Sequence, residues 1–110
     1  MKILSQKQGG EVKVFISGKM DAVTAPDFES SLSGMIAEGD LRFLVDFSGL
    51  EYISSAGLRA ILVVAKELRE KEGEMIFVGL QSHVQEVFKI SGFDEIFRIF
   101  RTEDEVPKQV

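Results

Sequence analysis

The residues best suited to chemistry are Ser54 and Ser55, which stand side by side within Asp46-Phe47-Ser48-Gly49-Leu50-Glu51-Tyr52-Ile53-Ser54-Ser55-Ala56-Gly57-Leu58-Arg59. A serine hydroxyl can be a nucleophile, a helix cap or a phosphate acceptor. A nucleophile elbow needs G-x-S-x-G, so that the serine can occupy a strained turn. Gly57 follows Ser55 at the right distance, but Ile53 stands in the place of the first glycine. The only histidine, His83, falls at a later helix start, and no triad geometry can be read around it. Esterase chemistry is therefore not expected. Either serine suits a helix cap, since Ser is among the preferred residues there. Asp46 ends an apolar run, as a phosphoaspartate would. That chemistry needs Mg²⁺ held by grouped carboxylates, and the first strand runs into Ser5-Gln6-Lys7, with no acidic pair. No G-x-x-x-x-G-K-[ST] phosphate loop occurs, and no metal or cofactor site is expected.

Composition narrows the classes further. The 110 residues suit one domain with its own core, and 45% of them are hydrophobic and 28% charged, an ordinary globular mixture. With no cysteine, disulfides, thiolate metal sites and a cysteine nucleophile are excluded. The formal net charge is −5, and the bases are scattered among acids, as in Lys66, Glu67, Arg69, Glu70, Lys71 and Glu72. Nucleic acid needs clustered Lys and Arg, so it is not an expected partner. No apolar run approaches the length of a membrane span, and Met1–Gly10 lacks the pattern of a signal peptide. The expectation is a cytoplasmic domain without membrane insertion.

The elements that would carry the serines follow from periodicity. Ile3 and Leu4 fall in a first strand and Glu11–Ser17 in a second, where Val12, Val14 and Ile16 alternate with Lys13, Phe15 and Ser17. Gly9-Gly10 between them reads as a hairpin turn. A loop is expected from Gly18 to Val23, then a helix capped by Thr24, with Pro26 in its first turn and Phe28, Leu32, Met35 and Ile36 on one face. Gly39 ends it. Leu41–Phe47 is apolar apart from Arg42 and Asp46, the pattern of a strand buried on both faces. The serines then open a second helix, to about Lys71, with an expected stripe of Leu58, Ile61, Leu62, Ala65 and Leu68. Val63 and Val64 widen that stripe, and the sequence leaves open whether they are core or partner surface. Gly73 follows the helix and Met75–Gly79 reads as the next strand. Ser82 and Gln85 have capping-box spacing ahead of Val84, Val87, Phe88 and Ile90, and Gly92 suits the helix end. Ile96–Phe100 is a last strand, and residues 102–110 are expected to form a short frayed tail. The order β-β-α-β-α-β-α-β predicts a single α/β domain with a mixed, partly parallel sheet opened by a hairpin and helices after the inner strands.

The serine segment resembles the signature of the anti-sigma factor antagonist branch of the STAS family. There a buried strand leads to Asp or Asn, a short loop, an acidic residue, Ser, a small residue and Gly opening a helix. The family's phosphoacceptor, two residues before that glycine, maps to Ser55, with Gly57 as the glycine; Ser54 stands where the family often has Asp. Gly18-Lys19-Met20-Asp21 with Thr24-Ala25 resembles the family's loop after its second strand, and Phe88-Lys89-Ile90-Ser91-Gly92-Phe93 resembles its C-terminal stretch. The resemblance spans nearly the whole chain and implies one STAS domain over residues 1–110. It implies a non-enzymatic switch. The unmodified protein binds an anti-sigma factor that is also a serine kinase and so frees the sigma factor. Phosphorylation of Ser55 with Mg-ATP ends binding, and a serine phosphatase restores it. Asp21, Thr24, Ser54, Ser55, Ala56 and Gly57 would form the partner contact, with Gly57 keeping the approach to Ser55 open. Asp46 would organise the loop. The rival implication is a STAS scaffold or regulatory subunit of a stress-signalling assembly or membrane transporter.

Overall fold

The computed structural model describes residues 1–107. The strands are β1 (Lys2–Gln8), β2 (Glu11–Met20), β3 (Arg42–Ile53), β4 (Glu74–Val78) and β5 (Arg98–Phe100). The helices are α1 (Ala25–Ala37), α2 (Ser55–Glu70), α3 (Ser82–Ser91) and the single-turn α4 (Phe93–Ile96). A 3₁₀ turn follows at Glu103–Glu105. The strands lie in sheet order β1-β2-β3-β4-β5; β1 and β2 are antiparallel and every other pair is parallel. Gly9 and Gly10 both have positive φ, 58° and 82°, as a tight primed turn requires.

Strands added one after another in the same direction, through right-handed crossovers, put their helices on one face of the sheet. That face holds the main core: Val12, Val14, Ile16, Phe43, Val45, Phe47 and Phe77 meet Phe28, Leu32, Ile36, Ile61, Val64, Leu68, Val84 and Phe88. Phe47, Phe77 and Phe88 form an aromatic triangle with centroid separations of 5.2, 5.4 and 6.2 Å. The opposite face is covered over its middle by the end of the described chain. Phe100 and Val106 pack on Leu44, Ile76 and Val78, while Glu103 pairs with Lys13. This cover explains why β3 is apolar on both faces. As far as it is described, the segment from residue 102 lies across the sheet through Val106; positions 108–110 of the expected tail lie outside the described residues.

Several local expectations change. Gly18–Met20 and Ser48–Ile53, expected as loops, continue β2 and β3 and pair with each other as far as Met20 and Ile53. β3 carries two more residues than β2 over this pairing, and the register shifts twice. Each bulge breaks the period of two that reveals a strand. On α2 the buried side is Gly57, Ala60, Ile61, Val64 and Leu68. Leu62 is 43% and Val63 36% exposed, so the buried face is rotated from the expected stripe, with Val64 in the core and Val63 at the surface. The Ser82–Gln85 capping box does not form, because the N-cap is Gln81 and Ser82 is already helical. Ile90 is 80% exposed. Gly92, at φ 80°, ends α3 as expected, but α4 takes Ile96 from the start of the last strand.

Candidate functional site

The long β2–β3 pairing determines where the serines sit. Met20 and Ile53 are partners at its end, and the Ser54 N–H donates to the Met20 carbonyl at 2.9 Å. Beyond this pair β2 turns through Asp21–Thr24 into α1, and β3 turns through Ser54 into α2. Two segments more than thirty positions apart in sequence are thereby held side by side at the C-terminal end of the parallel strands, the end where α/β folds meet ligands and partners.

The Asp21 turn is built by its own side chains. Asp21 Oδ1 accepts from the backbone N–H groups of Val23 at 3.0 Å and Thr24 at 3.1 Å. Thr24, at the N-cap position of α1, makes no side-chain cap bond there. Its hydroxyl is used backwards instead: it donates to the Lys19 carbonyl at 2.8 Å and accepts from the Asp21 N–H at 2.9 Å. The N–H of Thr24, then that of Val23, hold the Asp21 carboxyl below its ordinary pKa. A depressed carboxyl contributes stability above its unfolded pKa, near 4, and loses it as pH falls through the lower folded value. Asp21→Asn keeps an oxygen for both N–H groups but has no charge to lose. Its thermal stability relative to the parent should therefore be lowest at neutral pH, with the gap closing as the solution is acidified below about pH 4. Parallel melts across pH check this, and a gap that widens in acid would contradict it.

The two serines are distinguished by what their hydroxyls already do. Ser54, half-buried and extended at φ −97° and ψ 176°, is the N-cap of α2, its Oγ accepting from the Gly57 N–H at 3.4 Å. Ser55 is the first helical residue, exposed, and its hydroxyl has no partner among the described residues. Ala56 is half-buried beside it. Gly57 is buried, which corrects its expected role. A Cβ there would lie 2.7 Å from Ile53 Cγ1, 3.0 Å from the Met20 carbonyl oxygen and 3.1 Å from Met20 Cγ. Its missing side chain seats α2 on the ends of β2 and β3, and it offers no surface to a partner.

Asp46 also departs from expectation. No loop separates it from Ser55; it lies within β3, opposite Phe15. Its Oδ1 accepts from the Ser48 N–H at 2.8 Å, and Gln81 Nε2 donates to the Ser48 carbonyl at 2.8 Å. The β2 partners of Asp46 and Ile53 are Phe15 and Met20, five steps apart, so about 17 Å of strand separates Asp46 from Ile53 at the serine end. His83 stacks on Tyr52 with centroids 6.3 Å apart. Among the described residues no three His, Asp or Glu side chains group as a metal site.

The STAS domain model matches residues 2–106. The chain belongs to the STAS domain family. Among its relatives is BtrV of Bordetella bronchiseptica, named as a candidate anti-sigma factor antagonist, 40% identical over 90% of this chain and 85% of BtrV. The anti-sigma-B factor antagonist of Listeria monocytogenes is 25% identical over 94% of this chain and 90% of its own length. The crystal structure of an anti-sigma factor antagonist from Mycobacterium paratuberculosis superposes with a TM-score of 0.84 at 25% identity, covering 94% of this chain and 88% of that one.

In this STAS domain the serine end brings together Asp21, Thr24, Ser54, Ser55 and Ala56, and excludes Asp46. The exposed side of α2 continues from Ser55 through Arg59, Leu62, Val63 and Lys66, opposite the buried face; the sequence leaves Val63 open as partner surface and singles out none of the other three for that role. Successive steps of three or four residues onward from Ser55 were the available signal.

Proposed function

We propose that this STAS domain is an anti-sigma factor antagonist whose unphosphorylated form binds an anti-sigma factor that is also a serine kinase, releasing the sigma factor. The observation that carries the reading is the exposed, unengaged Ser55 hydroxyl at the first turn of α2, beside the Asp21 turn, while its neighbour Ser54 is held as a cap. The names of the relatives agree with it. Asp21, Thr24, Ser54, Ser55 and Ala56 form the docking surface, extended by exposed Val23 and by Leu62 and Val63. The kinase transfers the γ-phosphoryl of Mg-ATP to Ser55 Oγ. The Oγ–P bond forms as the bond to ADP breaks, and the hydroxyl proton leaves to a base on the kinase. A serine phosphatase reverses the state by hydrolysis. The protein itself is a switch rather than a catalyst, and it works in the cytoplasm without a cofactor. Among the described residues no helix is long and apolar enough to cross a membrane.

Capture from the source cells followed by phosphosite mapping tests this. The expected partner is an anti-sigma factor with serine kinase activity that labels the parent and Ser54→Ala but not Ser55→Ala. Because Ser54 caps α2, its substitution should cost about 1 kcal/mol of stability, a loss readable separately by melting. Recovery of a transporter or a scaffold ATPase in place of the kinase, or full labelling of Ser55→Ala, would overturn the reading.

A further inference from the structure

We propose that Arg59 is the intramolecular ligand of a phosphate on Ser55, so that modification both adds an anion and withdraws an exposed cation from the docking face. The inference rests on the proposed function for the identity of the modified serine. Ser55 opens α2 and Arg59 follows one turn later, both exposed, while the buried side of the helix is Gly57, Ala60, Ile61, Val64 and Leu68. Residues four apart lie one above the other on a helix, and helical side chains lean toward its N-terminus. A side chain at position 59 therefore reaches back over position 55. An anion N-terminal to a cation at this spacing is also the more favourable order.

Arg59 is free to take this part. It forms no ion pair among the described residues, whereas Arg42, Arg98 and Arg101 are each paired with a glutamate. Its planar guanidinium can present two N–H groups to two phosphate oxygens, a match a point charge lacks. Other charged groups lie around this end of the sheet. Asp21 is already held by its own turn and would repel the phosphate. Lys19 lies on β2 opposite Tyr52, and Glu51 is exposed on β3. Arg59 alone among them shares the helix face of Ser55. In the unmodified protein the same guanidinium is exposed on the helix face that also carries Leu62 and Val63, and it is available to an acidic group on the partner. Once the phosphate holds it, that contact is lost too.

The test installs phosphoserine at position 55 by genetic-code expansion, so no kinase is needed, and follows its second ionisation by ³¹P NMR. A bound guanidinium favours the dianion. Arg59→Ala should therefore raise the phosphoserine pKa, ordinarily near 6, by roughly three-tenths of a unit or more. Arg59→Lys should recover part of the difference, and Lys19→Ala should leave the titration in place. The unmodified Arg59→Ala protein should melt with its parent, since the side chain is exposed, which separates clamping from a structural role. An unchanged titration in Arg59→Ala, or an equal rise in Lys19→Ala, overturns the clamp. If no cellular kinase modifies Ser55, the proposed function falls while this measurement still decides the clamp on its own.

Discussion

Phosphoserine at position 55 is expected to weaken binding to the anti-sigma partner by about a hundredfold or more while leaving the circular dichroism spectrum unchanged. The modification adds about −1.5 to −2 charges and three acceptor oxygens. Within the free protein that anion is tolerated: it projects from the first turn of α2, where backbone N–H groups lack helical acceptors and the helix dipole favours negative charge. Across an interface it must be desolvated next to Asp21, whose depressed pKa keeps it ionised. Like charges forced together in a closed interface cost several kcal/mol, and each 1.4 kcal/mol is tenfold in affinity. Titration calorimetry with the modified and unmodified proteins measures the difference. Ser55→Asp should show a smaller loss, because it carries about half the charge. Equal affinity of the phosphorylated and unmodified proteins would rule out this switch.

Gly57→Val is expected to be among the most damaging single substitutions in the chain, lowering stability by about 3 kcal/mol, the upper part of the range for overpacking. The first added carbon would already lie 2.7 Å from Ile53 Cγ1 and 3.0 Å from the Met20 carbonyl oxygen. The side chain can shift; the carbonyl cannot, because it accepts the Ser54 N–H at 2.9 Å in the contact that brings the serine end together. Helix propensity acts the other way, since a glycine inside a helix costs about 1 kcal/mol relative to alanine, but the clash outweighs it. Gly34 in α1 provides the contrast, because a Cβ there would meet nothing within 4 Å. Gly34→Ala should therefore stabilise by up to about 1 kcal/mol. Urea denaturation of both variants checks the pair, and a Gly57→Val protein as stable as its parent would show that α2 can be seated without the close approach.

Much of the site was legible in the sequence. The alternation of Val12, Val14 and Ile16 marks the buried face of β2, and Gly9-Gly10 marks the hairpin, because both signals are local and repeat with the period of the element they form. The resemblance placed Ser55 and Asp21 in one site. What it could not assign was the work each residue does. Thr24 has the residue type and position of a cap, yet its hydroxyl is drawn to the Lys19 carbonyl and the Asp21 N–H. Ser54 and Ser55 are chemically identical neighbours, and only the direction in which β3 delivers the chain decides which one caps.

The sequence by itself determined the α/β class, the order of the main elements, the mixed sheet opened by a hairpin, and the absence of any cysteine chemistry. These follow from composition and from periods of two and three to four residues, which each segment carries without reference to the rest. The tertiary structure alone decided that Gly18–Met20 and Ser48–Ile53 are paired strands, since bulges erase their period and only the partner strand restores the pattern. It alone made Gly57 a seat for α2, turned Val64 inward and Val63 outward, moved Asp46 away from the serines, and laid the segment around Val106 across the second face of the sheet. Each of these depends on which surface meets which across long separations in sequence, and that is settled by packing rather than by any local preference.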